Sequence, residues 1–97
     1  MFSGDKILMK IRRHSDRLKL YGVESVGLFG SFVTSSQHVD SDIDILVQFR
    51  PGKKNFDNYM DLKFFLEKLF HKKIDLVIKE ALKNRIKNKV LSEVQYA

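Results

Sequence analysis

The sequence predicts an α/β (α+β) fold, a small mixed β-sheet packed by helices, in one domain over residues 1–97. Two observations carry this expectation. Apolar residues recur at helical spacing in two long stretches, and three short apolar runs bounded by glycine, proline or polar residues are too short to be helices. Taken in order, the pattern is helix, strand, polar loop, strand, helix, strand, helix, with no internal repeat or linker. A chain of 97 residues suffices for one core but not for a separate substrate domain, so a large substrate must meet an open surface.

Residues 4–21 place Ile7, Ile11, Leu18 and Tyr21 on one stripe with Arg and Lys between, and Gly22 follows as a C-cap. That spacing predicts an amphipathic helix, with His14 on its apolar stripe as a packed or edge histidine. Residues 23–29, with Val23, Val26, Leu28 and Phe29, read as a buried strand. The stretch from Thr34 to Asp40 has no periodicity. It leads to residues 42–49, where Asp42, Asp44, Leu46 and Gln48 alternate with Ile43, Ile45, Val47 and Phe49. This is the clearest strand in the chain.

Arg50-Pro51-Gly52 signals a turn. Beyond it Tyr59, Leu62, Leu66 and Leu69 predict a helix over 56–70, with His71, Lys72 and Lys73 suited to its negative C-terminal end. Residues 74–78 give a third strand, Asp75 and Val77 on one face and Ile74, Leu76 and Ile78 on the other. The charged stretch 81–94 is expected to be helical.

Composition narrows the chemistry. The chain is 43% hydrophobic and 31% charged, which is the make-up of a folded domain. No run approaches the roughly 20 apolar residues that span a bilayer, and no signal-peptide pattern is present, so a cytoplasmic protein is expected. The absence of cysteine excludes thiolate metal sites and cysteine nucleophiles. Any metal is then held by oxygen or imidazole, which favours a hard ion such as magnesium. The net charge of +6 suits an anionic partner. The basic residues, however, fall in two groups that solvated helix faces explain more readily than direct nucleic-acid binding does.

The chemistry-bearing residues stand at strand ends. Gly30-Ser31 closes the first strand, and ten residues, 32 to 41, separate it from Asp42-Ile43-Asp44. Side chains two apart on a strand share a face, so Asp42 and Asp44 present carboxylates roughly 6–7 Å apart along the chain. Two acids at the mouth of an otherwise apolar strand cost several kcal/mol unless cations or donors compensate them. Asp75 opens the third strand in the same way. If that strand pairs beside the second, three carboxylates converge, a set suited to one or two magnesium ions holding a triphosphate. Gly30 would let the backbone approach phosphates, and Ser31 could open a short helix whose amides and hydroxyl bind them.

These residues resemble the minimal nucleotidyltransferases (MNT), the short branch of the DNA polymerase β superfamily. The match is carried by GLFGSFVTSSQHVDSDIDILVQF, residues 27 to 49, and KKIDLVIKEAL, residues 72 to 82, and it extends over essentially the whole chain. The resemblance implies a polymerase β-like nucleotidyltransferase fold and transfer of a nucleoside monophosphate, most often AMP from ATP, to an acceptor hydroxyl. It implies that Asp42 and Asp44 ligate the metal carrying the triphosphate. Asp75 would help bind a second Mg2+ and act on the acceptor hydroxyl, and Gly30 and Ser31 would hold the phosphates. MntA-like members are antitoxins paired with HEPN-domain toxins, which implies a HEPN-domain partner. Many relatives carry Arg-Gly where this chain has Thr34-Ser35, so one phosphate or partner contact is missing here.

Plainer readings stand beside these. Asp40 is a loop acid more often used for turns than for metals. His38 and His71 read as exposed loop and helix-end residues. The cluster of Phe64, Phe65 and Phe70 is most simply core, although a domain with eight Phe has apolar surface to spare for a partner. A non-catalytic antitoxin acting by contact alone, and a nucleotidyltransferase acting on a small molecule such as an aminoglycoside, are the alternative functions.

Overall fold

Buried β-branched and leucine residues build the centre of the molecule, a four-stranded sheet in the order β3-β2-β1-β4. The computed structural model describes residues 3–34, 36–37 and 40–97. Its strands are β1 (Val23–Phe29), β2 (Ile43–Phe49), β3 (Ile74–Ile78) and β4 (Gln95–Tyr96), and its helices are α1 (Gly4–Arg13), α2 (Ser15–Leu20), α3 (Ser31–Thr34), α4 (Phe56–Phe70) and α5 (Asn84–Glu93). A 3-10 turn, Lys79–Ala81, leads from β3 toward α5. Ser35 and His38, singled out from the sequence, lie outside the described residues.

The expected first helix is two. Ser3 caps α1 by accepting the Lys6 amide at 3.2 Å, and the helix ends at His14, whose backbone (φ −108°, ψ 23°) leaves helical geometry. The His14 amide closes back on Ile11 O at 3.0 Å and its Nδ1 lies 2.8 Å from Lys10 O, so the residue completes one helix before Ser15 starts the next. Its ring packs edge-on against Phe65, 5.7 Å between centroids, which is the packed histidine the apolar stripe predicted. Gly22, at φ 76°, ends α2 in the left-handed region.

β2 is the most deeply buried strand, with Ile43, Ile45, Leu46, Val47 and Phe49 all buried. Its Ile43, Ile45, Val47 face meets the main core, where Ile7, Leu8 and Ile11 of α1, Leu18 of α2 and Leu62, Leu66 and Phe70 of α4 gather. Asn55 caps α4 by accepting the Asn58 amide at 2.8 Å. His71 then turns the chain with φ 52°. The expected division of the phenylalanines is only partly a core: Phe70 is buried, Phe65 is half-buried, and Phe64 is 58% exposed.

Strand pairing places the functional ends together. β1 and β2 are antiparallel, with Phe29 opposite Asp44, and β2 and β3 are parallel, with Asp44 opposite Asp75. β4 runs antiparallel to β1, with Gly27 opposite Tyr96 and Leu28 opposite Gln95, and the Ala97 amide extends the ladder to Val26 O at 2.9 Å. A Cβ on Gly27 would meet Val94 and Tyr96, so the end of α5 lies over the sheet face opposite the main core. Val90 and Leu46 are buried outside the main cluster.

Candidate active site

The end of β1, the starts of β2 and β3 and the end of α5 meet at one edge of the sheet. Each contributes a polar group. Gly30 follows β1 with φ +77°, and a Cβ there would overlap the Asp44 carboxylate, its Cγ 2.9 Å away. Glycine is therefore needed at this position twice over, for the backbone angle and for room beside an acid. The Gly30 carbonyl accepts the amides of Val33 (3.0 Å) and Thr34 (3.1 Å), which sets the single turn of α3 starting at Ser31. Ser31 opens a short helix as its sequence context suggested.

Asp44 is half-buried, and its carboxyl is pushed up from 3.8 to about 6. Burial is the largest cause, followed by the charge of Asp75 and a side-chain hydrogen bond with it, then the charges of Asp42 and Glu93. The parallel register of β2 and β3 puts Asp44 and Asp75 directly opposite each other. Asp42 stands one step outside β2 and is exposed, as is Asp75. Among the described residues no three acidic or imidazole side chains close on a single point, so the three carboxylates expected to converge stand as a pair, Asp44 and Asp75, with Asp42 apart. Asp44 and Asp75 are in contact, while Asp42 and Glu93 act on Asp44 through space.

Lys72 donates to Ser41 O at 3.3 Å, and the Ile43 amide donates to Lys73 O at 3.1 Å. These bonds tie the approach to Asp42 to the segment entering β3. Tyr59 of α4 donates its hydroxyl to Leu76 O at 2.6 Å, anchoring α4 to the same strand. Burial first, and the Asp75 charge second, raise the Tyr59 phenol above its ordinary value. Asp40 is exposed in a turn, as its loop position suggested. A groove of about 400 Å³ lined by Lys54, Phe56, Tyr59 and Ile78 lies at the other end of β3 and contains none of the three aspartates.

Glu93 is the group the sequence reading missed. It is the last residue of α5, and its Oε1 accepts the Gly30 amide at 3.2 Å across 63 residues of chain. Glu93 is the only acid in α5, in a segment that also carries Arg85, Lys87 and Lys89, and that contrast is the one signal the sequence offered.

A desolvated acid facing a second acid, with a glycine turn pressed against them, is an all-oxygen arrangement of the kind that suits a hard cation. The chain belongs to the nucleotidyltransferase domain family, whose model matches residues 9–97. Among its relatives, the protein adenylyltransferase MntA of Thermococcus cleftensis is 37% identical over 99 residues, covering 99% of this chain and 97% of that protein. A Methanocaldococcus jannaschii protein assigned as a protein adenylyltransferase is 38% identical over 85 residues, 86% of this chain and 85% of its own. A solved minimal nucleotidyltransferase superposes with a TM-score of 0.82 at 26% identity, covering 97% of this chain and 95% of that one. The fold is also that of a chain in a toxin–antitoxin crystal structure with AMP-PNP, at a TM-score of 0.68, 22% identity, and coverage of 98% and 72%. A chain from the complex of a tri-AMPylated Shewanella oneidensis HEPN toxin with an MNT antitoxin superposes at 0.65, with 17% identity and coverage of 93% and 70%.

Proposed function

We propose that this nucleotidyltransferase transfers AMP from ATP to a hydroxyl of a HEPN-domain partner and thereby acts as an antitoxin. The observation that carries the proposal is the Asp44–Asp75 pair, set face to face by strand register beneath the Gly30 turn. A desolvated carboxylate beside a second one is an electrostatic cost in the metal-free protein, and a divalent cation converts it into a binding site. The donor set is all carboxylate oxygen, which fits magnesium. Asp42 and Asp44 would hold the ion that carries the triphosphate, and Asp75 a second. Magnesium, when bound, neutralises the phosphates and the charge that develops as the phosphorus–oxygen bond breaks.

The chain's own residues do the rest. Gly30 has no side chain to keep a phosphate from its backbone, Ser31 offers a hydroxyl beside it, and the exposed Asp75 would take the proton of the acceptor hydroxyl as its oxygen bonds to the α-phosphorus and pyrophosphate leaves. AMP as the transferred group and protein as the acceptor are favoured by the activity named for the Thermococcus cleftensis relative. A HEPN-domain partner is favoured by the assemblies in which the fold neighbours occur. Leu20, Phe56 and Phe64, all more than half exposed, supply apolar surface for such a partner.

The test is incubation of the purified chain with labelled ATP, magnesium and a HEPN-domain partner, alongside the Asp42→Asn/Asp44→Asn variant. Label should reach the partner only with magnesium and only with the wild-type chain. Binding of the partner without label, together with neutralisation that survives the double substitution, would replace this reading with antitoxin action by contact alone.

A further inference from the structure

Glu93 is in an unfavourable place by two independent criteria. It is an anion at the C-terminal end of α5, where the unpaired carbonyls already carry negative charge. It also sits on the Gly30 turn that presses against Asp44, an acid already beside Asp75. What holds it there is the Gly30 amide, which donates to Oε1 at 3.2 Å. A carboxylate oxygen on a backbone amide has the charge and the acceptor geometry of a phosphate oxygen on the same amide. The topology delivers it: β4 pairs with the end of β1, so the residue two before Gln95 arrives beside Gly30.

We infer that Glu93 is an internal stand-in for a phosphate oxygen, occupying the Gly30 amide until the nucleotide's own phosphate takes that donor, and so setting how tightly the site holds nucleotide. The inference rests on the nucleotide-binding reading above. One amide hydrogen cannot serve two anionic acceptors fully, so phosphate and Glu93 compete. Release of Glu93 also frees the end of α5 where it enters β4, which makes the C-terminal segment sensitive to nucleotide.

The experiment is calorimetric titration of wild type, Glu93→Gln and Glu93→Ala with magnesium AMP-PNP, paired with the Gly30 amide resonance in each free and saturated protein. Removing an anionic competitor for one donor should tighten binding roughly five- to tenfold in both variants. The Gly30 resonance should differ between free wild type and free Glu93→Ala and coincide once both are saturated, a readout that general loosening of α5 would not give. Glu93→Gln keeps size and shape, so it reports even if Glu93→Ala folds poorly. Unchanged or weaker binding by Glu93→Gln, with wild type binding normally, overturns the inference and leaves the nucleotide reading standing. No binding by any of the three proteins overturns both.

Discussion

Gly30→Ala tests the centre of the site without touching an acid. Two costs add. Alanine at φ +77° pays the left-handed penalty, about 1–2 kcal/mol. Its Cβ also overlaps the Asp44 carboxylate, which has to move away into a poorer rotamer, for about 1 kcal/mol or more. The substitution should therefore destabilise the protein by about 2–4 kcal/mol. Asp44→Ala removes the overlapping carboxyl group and leaves only Cβ, 3.2 Å from the added methyl. In that background the cost should fall to about 1–2 kcal/mol, a coupling of roughly 1–2 kcal/mol between neighbours. Urea denaturation of the four proteins with a chelator at pH 7.5 measures this directly, provided the m-values agree. Gly30→Asn separates the two causes, since asparagine tolerates positive φ but carries the same Cβ, and it should fare little better than alanine. Costs that add independently across the cycle, or a well-tolerated asparagine, would refute the claim that Gly30 is there to make room for Asp44.

The remaining predictions concern charge and packing. Because the Asp44 carboxyl is raised from 3.8 to about 6, its penalty in the fold is fully present above pH 6 and is relieved as pH falls through 6 toward 4. In thermal melts the metal-free protein should gain about 1 kcal/mol from this group between pH 7.5 and pH 4.5, after discounting for the solvent that half-exposes it. Asp44→Asn should remove that part of the pH dependence and melt no lower than wild type at pH 7.5. Magnesium at pH 7.5 should raise the melting temperature of wild type and leave Asp42→Asn/Asp44→Asn where it was. Asn55→Ala should cost about 1 kcal/mol in denaturant titration through loss of the α4 cap, and Phe70→Ala about 3–5 kcal/mol through the cavity it leaves.

Much of this arrangement could be read in the chain because its signals are local. Alternation from Asp42 to Phe49 gives both the strand and the shared side of its two acids, and the three apolar runs appear as β1, β2 and β3. The break at His14 was hidden because Ile7, Ile11, His14 and Leu18 keep helical spacing across it. One non-helical residue, closed by its own amide and ring, does not disturb that stripe. β4 is two exposed residues whose only strand character is the partner they find on β1, and no periodicity exists in so short a segment. Glu93 was hidden for the same reason, since its meaning comes from β4's pairing rather than from its neighbours in sequence.

Register explains why the acids meet at all. β2 and β3 run parallel, so their starts can lie together only if a crossover carries the chain back along the sheet, and the fifteen residues of α4 do this. Leu62, Leu66 and Phe70 seat that helix on the core while Tyr59 ties it to Leu76 O, which fixes how far β3 advances beside β2. A slip of one residue would turn Asp75 to the core face and bring Leu76 or Ile74 opposite Asp44. The apolar alternation of Ile74, Leu76 and Ile78 forbids that slip, because it would bury Asp75 and expose the residues that now pack. The same side chains that hold the core therefore set the spacing of the carboxylates, and the site is as rigid as the packing of α4 beneath it.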